Sequence, residues 1–143
     1  MSEAIVVDGD MLQFDPSFGN RQVMVPNPGK ISGTGHAQVN GKKVCILGDE
    51  RQVRVSATYI TATHTTPGKG TITISALDTS QQALQCTSGA ALIIKGQKFT
   101  ALFMPESPAI NNTGPTPQPD PNYPSPSSGK GSFITQQNFA TVN

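Results

Sequence analysis

Asn40-Gly41, inside the stretch HAQVNGKKVCILGDE (36–50), constrains the fold of this chain more than any other feature. A type I′ hairpin turn needs positive φ at both central residues, and Asn followed by Gly meets that need at least cost. Pairing outward from the turn sets Val39 opposite Lys42, Gln38 opposite Lys43, Ala37 opposite Val44 and His36 opposite Cys45. One face of this hairpin then carries Ala37, Val39, Val44 and Ile46, a set suited to burial, while His36 and Cys45 share the other face.

The rest of the chain also reads as short strands and turns. Residues 4–7 form a first strand ending in Asp8-Gly9-Asp10, and residues 11–14 continue it. Residues 53–63 alternate, with Val53, Val55, Ala57 and Tyr59 on one side; residues 71–76 put Ile72 and Ile74 inward. The one helical turn expected lies at 78–85, capped by Asp78 or Ser80. The hairpin then recurs: VNGKKVCIL (39–47) matches IKGQKFTAL (94–102), with Lys95-Gly96 as the second turn and Leu92, Ile94, Phe99 and Ala101 as its inward set. The positions matching His36 and Cys45 are Ala91 and Thr100, so that pair belongs to one copy. A duplicated hairpin predicts an all-β, repeat-built fold.

From Pro105 to Gly131 lie eight of the twelve prolines. The expected division is therefore a β domain over 1–108, an extended Pro/Gly/Ser-rich linker over 109–131 and a strand-like tail over 132–143 that needs a partner edge. With 35% hydrophobic residues and no tryptophan, the first segment is expected to have only a small core, its open strand edges completed by a partner sheet. A net charge of +1 with scattered Lys and Arg excludes the basic stripe of a nucleic-acid binder. The start MSEAIVVDGD lacks the basic and apolar regions of a signal peptide, and no run reaches the length of a membrane span.

Candidate chemistry is sparse. His36, His64, Cys45 and Cys86 are a mixed nitrogen and sulfur set of the kind a tetrahedral zinc or iron ion takes, but no ligand-spacing motif joins them. The other reading makes Cys45 an ordinary small apolar residue and His36 a surface polar one. Asp8 and Asp10, split by Gly9, suit a turn better than acid–base catalysis. No nucleophile elbow, phosphate loop or dinucleotide fingerprint occurs, so the expectation is a protein that is not an enzyme. The turn segments Val39, Asn40, Gly41, Lys42, Lys43 and Ile94, Lys95, Gly96, Gln97, Lys98 would make one end of the domain, a docking surface.

VNGKKVCILGDE, the second copy IKGQKFTAL, the early VVDGD and the HTTPGKG loop together resemble PAAR and PAAR-like spike-tip proteins over about residues 5–108. Lys43 stands where that family's motif usually has proline. The resemblance implies a small cone-shaped fold of β-hairpins whose base docks on the blunt end of a trimeric β-helical spike, one tip per trimer. Such tips belong to contractile injection machines: type VI secretion systems, phage tails and related particles. It implies a mechanical role in puncturing a target membrane touched only transiently, and delivery out of the cell without a signal peptide. It also implies one metal ion near the apex, with His64 in the loop that reaches it, the two turn segments at the base, and Gly9-Asp10 and Gly48-Asp49 at the family's Gly-Asp positions. The proline-rich tail would contact neighbouring spike or baseplate parts or tether a cargo. A secreted or surface β-domain binding a carbohydrate or peptide is the competing reading; the missing tryptophan and only two tyrosines count against sugar-stacking platforms.

Overall fold

Alternation of apolar and polar residues builds the strands, and the inward residues of successive strands meet in one core. The computed structural model describes residues 3–27, 29–35, 37–39, 41–82, 91–135 and 141–142. Among them the strands are β1 (Glu3–Ala4), β2 (Met11–Phe14), β3 (Ser17–Phe18), β4 (Arg21–Met24), β5 (Gln38–Val39), β6 (Lys42–Lys43) and β7 (Val55–Ile60). There follow β8 (Gly68–Ala76), β9 (Phe99–Ser107), β10 (Ile110–Asn111), β11 (Gln118–Pro119), β12 (Ser127–Ile134) and β13 (Thr141–Val142). Two single 3-10 turns, Asp49–Gln52 and Thr79–Gln81, interrupt them. Asp78 caps the second, accepting from the Ser80 amide at 3.1 Å while its own amide donates to Gln81 Oε1 at 3.0 Å.

The fold is all-β, as expected. A seven-stranded antiparallel sheet runs in the order β2-β12-β9-β8-β7-β4-β3 and curls into a half-barrel, consistent with a small cone-like domain. Val55, Ala57 and Tyr59 of β7, Ile72 and Ile74 of β8 and Phe99, Ala101 and Phe103 of β9 line its inside, as their alternation predicts. Four aromatic pairs follow: Phe14–Phe99, Phe18–Phe103, Tyr59–Phe103 and Phe99–Phe133, with centroids 5.0–6.3 Å apart. These rings join one contiguous core.

Two expectations are corrected here. The core is larger than composition suggests, and both edges of the seven-stranded sheet lie against other parts of the chain. On the β2 edge, the Leu12 amide donates to the Gly29 carbonyl at 2.9 Å and Met11 bridges Lys30. At the other edge, β3 curls over β12. The second correction concerns the C-terminal third. Residues 109–131 are not a free linker, and the boundary set at 131/132 falls inside a strand. Ser127–Ile134 pairs with β9 on one side and β2 on the other, in the body of the sheet. The physical reason is local. Along SSGKGSFI the inward places include Gly129 and Gly131, so hydropathy reads the segment as loop. The missing side chains are replaced by rings from elsewhere: a Cβ on Gly129 would meet the Phe18 ring, and one on Gly131 the Phe99 ring. The sheet can curl this tightly because nothing else fills that space.

Candidate functional site: a threefold ring at one end of the sheet

Three short segments carry the same pattern of three apolar residues, any residue and glycine: IVVDGD (5–10), VCILGD (44–49) and LIIKGQ (92–97). Their glycines, Gly9, Gly48 and Gly96, have φ of 88, 111 and 50°, a left-handed corner that other residues adopt only with strain. The segments close on one another in a cycle. Val6 N donates to Ile93 O at 3.0 Å, Ile93 N to Cys45 O at 2.9 Å and Cys45 N to Val6 O at 2.9 Å. A second cycle surrounds the first: Asp8 N to Lys43 O at 2.7 Å, Leu47 N to Ala91 O at 2.8 Å and Lys95 N to Ala4 O at 2.9 Å. The antiparallel bridges Ile5–Ile94, Val7–Val44 and Ile46–Leu92 repeat the same relation. Every donor and acceptor in both cycles holds the same place relative to its corner glycine, so the unit has pseudo-threefold symmetry within a single chain.

Val6, Cys45 and Ile93 are fully buried at the centre, which satisfies their backbone groups inside the ring and removes three apolar side chains from water. The corners are held by carboxylates in two copies. Asp10 Oδ2 accepts from Val7 N at 2.9 Å, and Asp49 Oδ2 from Ile46 N at 2.9 Å. Asp49 also takes the Thr34 amide at 3.0 Å and the Thr34 hydroxyl at 2.6 Å. The third copy has Gln97 at this place, with its side chain exposed. There the Ile94 amide goes to Gln81 O at 3.0 Å, and Gln81 Nε2 donates back to the Lys95 and Gln97 carbonyls at 3.2 and 3.1 Å. After each corner the chain enters the sheet, as β2, β7 and β9. The ring therefore sits at one end of the half-barrel, and the 61–67 loop and residues 108–126 at the other. Asp8, Leu47 and Lys95, equivalent by the threefold relation, are all exposed.

The sequence-predicted residues fall on this frame as follows. The first hairpin has the expected register, Gln38 with Lys43 and Val39 with Lys42, and Gly41 has φ 81°. Its buried face is as expected only in part: Val44 is buried and its amide donates to Ala37 O at 3.0 Å, but Ala37 is exposed, Val39 and Ile46 are half-buried, and Cys45 is wholly buried because 45–47 leave the hairpin for the ring. The second hairpin is not formed. Ile94 bonds to Gln81 and Lys95 to Ala4, so Ile94, Lys95, Gly96, Gln97 and Lys98 make a ring corner instead, with Lys98 paired to Asp15 at 2.8 Å. The repeat that the fold respects aligns Gly48 with Gly96 and Gly9, not the two turns with each other. Both turn segments nevertheless join the ring, through Lys43 O and Lys95 N. Asn40 lies outside the described residues.

Of the candidate metal ligands, His36 and Cys86 also lie outside the described residues. Cys45 is in the ring, where burial first, then the Asp49, Asp10 and Asp8 carboxylates, push its thiol well above its ordinary pKa. His64 is beyond the other end of β7, about 20 Å of strand away, its Nδ1 2.8 Å from Thr63 Oγ1. These two do not fit one ion, and among the described residues no three His, Cys, Asp or Glu side chains gather as a metal site requires.

At the far end a buried cation organises the proline-rich segment. Arg21 lies over the Tyr59 and Phe103 rings, 5.0 and 6.0 Å from their centroids. It donates to the carbonyls of Asn122 at 2.7 Å and Ser125 at 2.6 Å and to Ser127 Oγ at 2.6 Å. The Tyr59 hydroxyl donates to Asp120 Oδ2 at 3.0 Å and accepts from the Ala109 amide at 3.0 Å. Burial foremost, and the Asp120 carboxylate, push that hydroxyl's pKa up, which keeps it a donor. A cavity of about 200 Å3 beside this cluster is lined by Asn20, Thr61, Ala62, His64, Pro121 and Asn122, among others.

Among curated proteins no match is found. A family model described as contractile injection system spike tip protein matches residues 1–143. The chain belongs to that family of structural spike-tip proteins, components of injection particles that associate with a spike.

Proposed function

We propose that the ring end seats on the blunt end of a trimeric spike, one chain per trimer, and that the end bearing the 61–67 loop and the Arg21 cluster points outward to meet the target membrane. The observation that carries this reading is the closed cycle of hydrogen bonds through Val6, Ile93 and Cys45. A single chain is matched to three identical subunits by a threefold repeat of its own, and the backbone course of the ring repeats three times. The far end suits puncture. Its segments are bound down by a buried guanidinium and a buried tyrosine rather than left as free loops, so load is passed to the sheet. Delivery in this reading is with the particle and needs no signal peptide. The test is to mix the purified full chain with the purified spike trimer of the same particle and weigh the complex by native mass spectrometry. One chain per three spike chains supports the reading; no complex, or one chain per spike chain, refutes it.

A further inference from the structure

The outer rim of the ring contains a second repeat, and it recruits the end of the chain. Counting back from the corner glycines, Glu3 and Ala4 hold the places before Gly9 that Lys42 and Lys43 hold before Gly48. Lys42 and Lys43 are paired on their outer side by β5, in the register Val39–Lys42 and Gln38–Lys43. Glu3 and Ala4 are paired by β13, in the matching register Val142–Glu3 and Thr141–Ala4. The residues so backed are the ones whose carbonyls serve the outer cycle: Lys43 O takes Asp8 N, and Ala4 O takes Lys95 N. One copy obtains its outer strand from a tight local hairpin. The other obtains it from the opposite terminus, across almost the whole chain. Two unlike connections deliver one register to equivalent places in two of the three copies.

We infer that β13 is a working part of the spike-facing platform, the counterpart in the first copy of β5 in the second, and that it presents a strand edge for pairing with the strand ends of a homotrimeric partner. Among the described residues neither β5 nor β13 pairs with a strand on its far side, and in this inference that side takes the partner's strand. The partner that fits is a trimer whose subunits each end in a β-strand. This rests on the reading of the ring as the spike-facing end, and it assigns the C-terminal residues to the spike junction rather than to a cargo.

The experiment compares the full chain with two variants: one ending at residue 140, and Val142→Pro, which removes an amide from the strand while keeping its length. Each is titrated against the spike trimer, and amide exchange in β7, β8 and β9 reports that the sheet is intact. The inference predicts an unchanged sheet, earlier exchange of the Lys95 amide and about tenfold weaker capture for both variants. Capture by either folded variant equal to that of the full chain overturns it while leaving the docking proposal standing. If the full chain itself is not captured, both fall.

Discussion

The amide of Ile93 donates to the carbonyl of Cys45 at 2.9 Å, joining two segments that share no hairpin and lie far apart in the chain. Because Cys45 in turn donates to Val6 and Val6 to Ile93, the bond is one side of a closed triangle. No side can open without exposing buried backbone groups of the other two. The three amides are therefore expected to exchange with solvent together and late, as one cooperative unit. Ile93→Ala is expected to cost ~2–5 kcal/mol, read as a lower urea midpoint, and to speed exchange at Val6 and Cys45 as well. Exchange at those two amides unchanged by the variant would show that the ring is not a unit.

The corners give a comparison internal to the molecule. Asp49 accepts two amides and a hydroxyl, and Asp49→Ala leaves all three without that acceptor, at ~1–3 kcal/mol. Gln97 holds the equivalent place in the third copy with an exposed side chain, and Gln97→Ala is expected to change stability by less than ~0.5 kcal/mol. Gln81→Ala, in contrast, should behave like Asp49→Ala because Gln81 Nε2 carries the third corner. Denaturant unfolding of the three variants checks the order.

Arg21 is expected to control the proline-rich segment. Removing its guanidinium leaves the carbonyls of Asn122 and Ser125 without their donor, so Arg21→Ala should cost ~1.5–3 kcal/mol and open residues 109–126 to limited proteolysis. Arg21→Lys should rescue poorly, since an ammonium cannot reproduce the planar fork that serves three acceptors at once.

Burial and nearby carboxylates hold the Cys45 thiol neutral, so it should resist alkylation at neutral pH until the protein unfolds. Mass spectrometry of a Cys86→Ser variant, labelled before and after denaturation, isolates this residue. Rapid labelling of the folded chain would contradict the buried position at the ring centre.

Much of this was legible in the sequence, and the failures have physical causes. Strand alternation located Val55, Ala57, Tyr59, Ile72 and Ile74 because packing there follows side-chain period alone. Asn40-Gly41 set its own register because a tight turn is a local decision. The ring was misread because its repeat lies in an apolar triplet and a corner glycine, while the two lysine-flanked turns offered a longer but accidental match. Gly9-Asp10 and Gly48-Asp49 were the usable signal; the third copy hides by replacing aspartate with Gln97 and borrowing Gln81. β12 was unreadable for another reason. Gly129 and Gly131 carry no hydropathy, and the rings that cover them, Phe18 and Phe99, come from distant parts of the chain.

The account turns on which end of the half-barrel meets the spike. A photo-crosslinking residue in place of Leu47, 45% exposed beside the ring, can be compared with one in place of Ala62 at the far end, each in the full chain mixed with the spike trimer. The account predicts crosslinks to spike chains from position 47 and none from position 62. Crosslinks from position 62 with none from position 47 would contradict it.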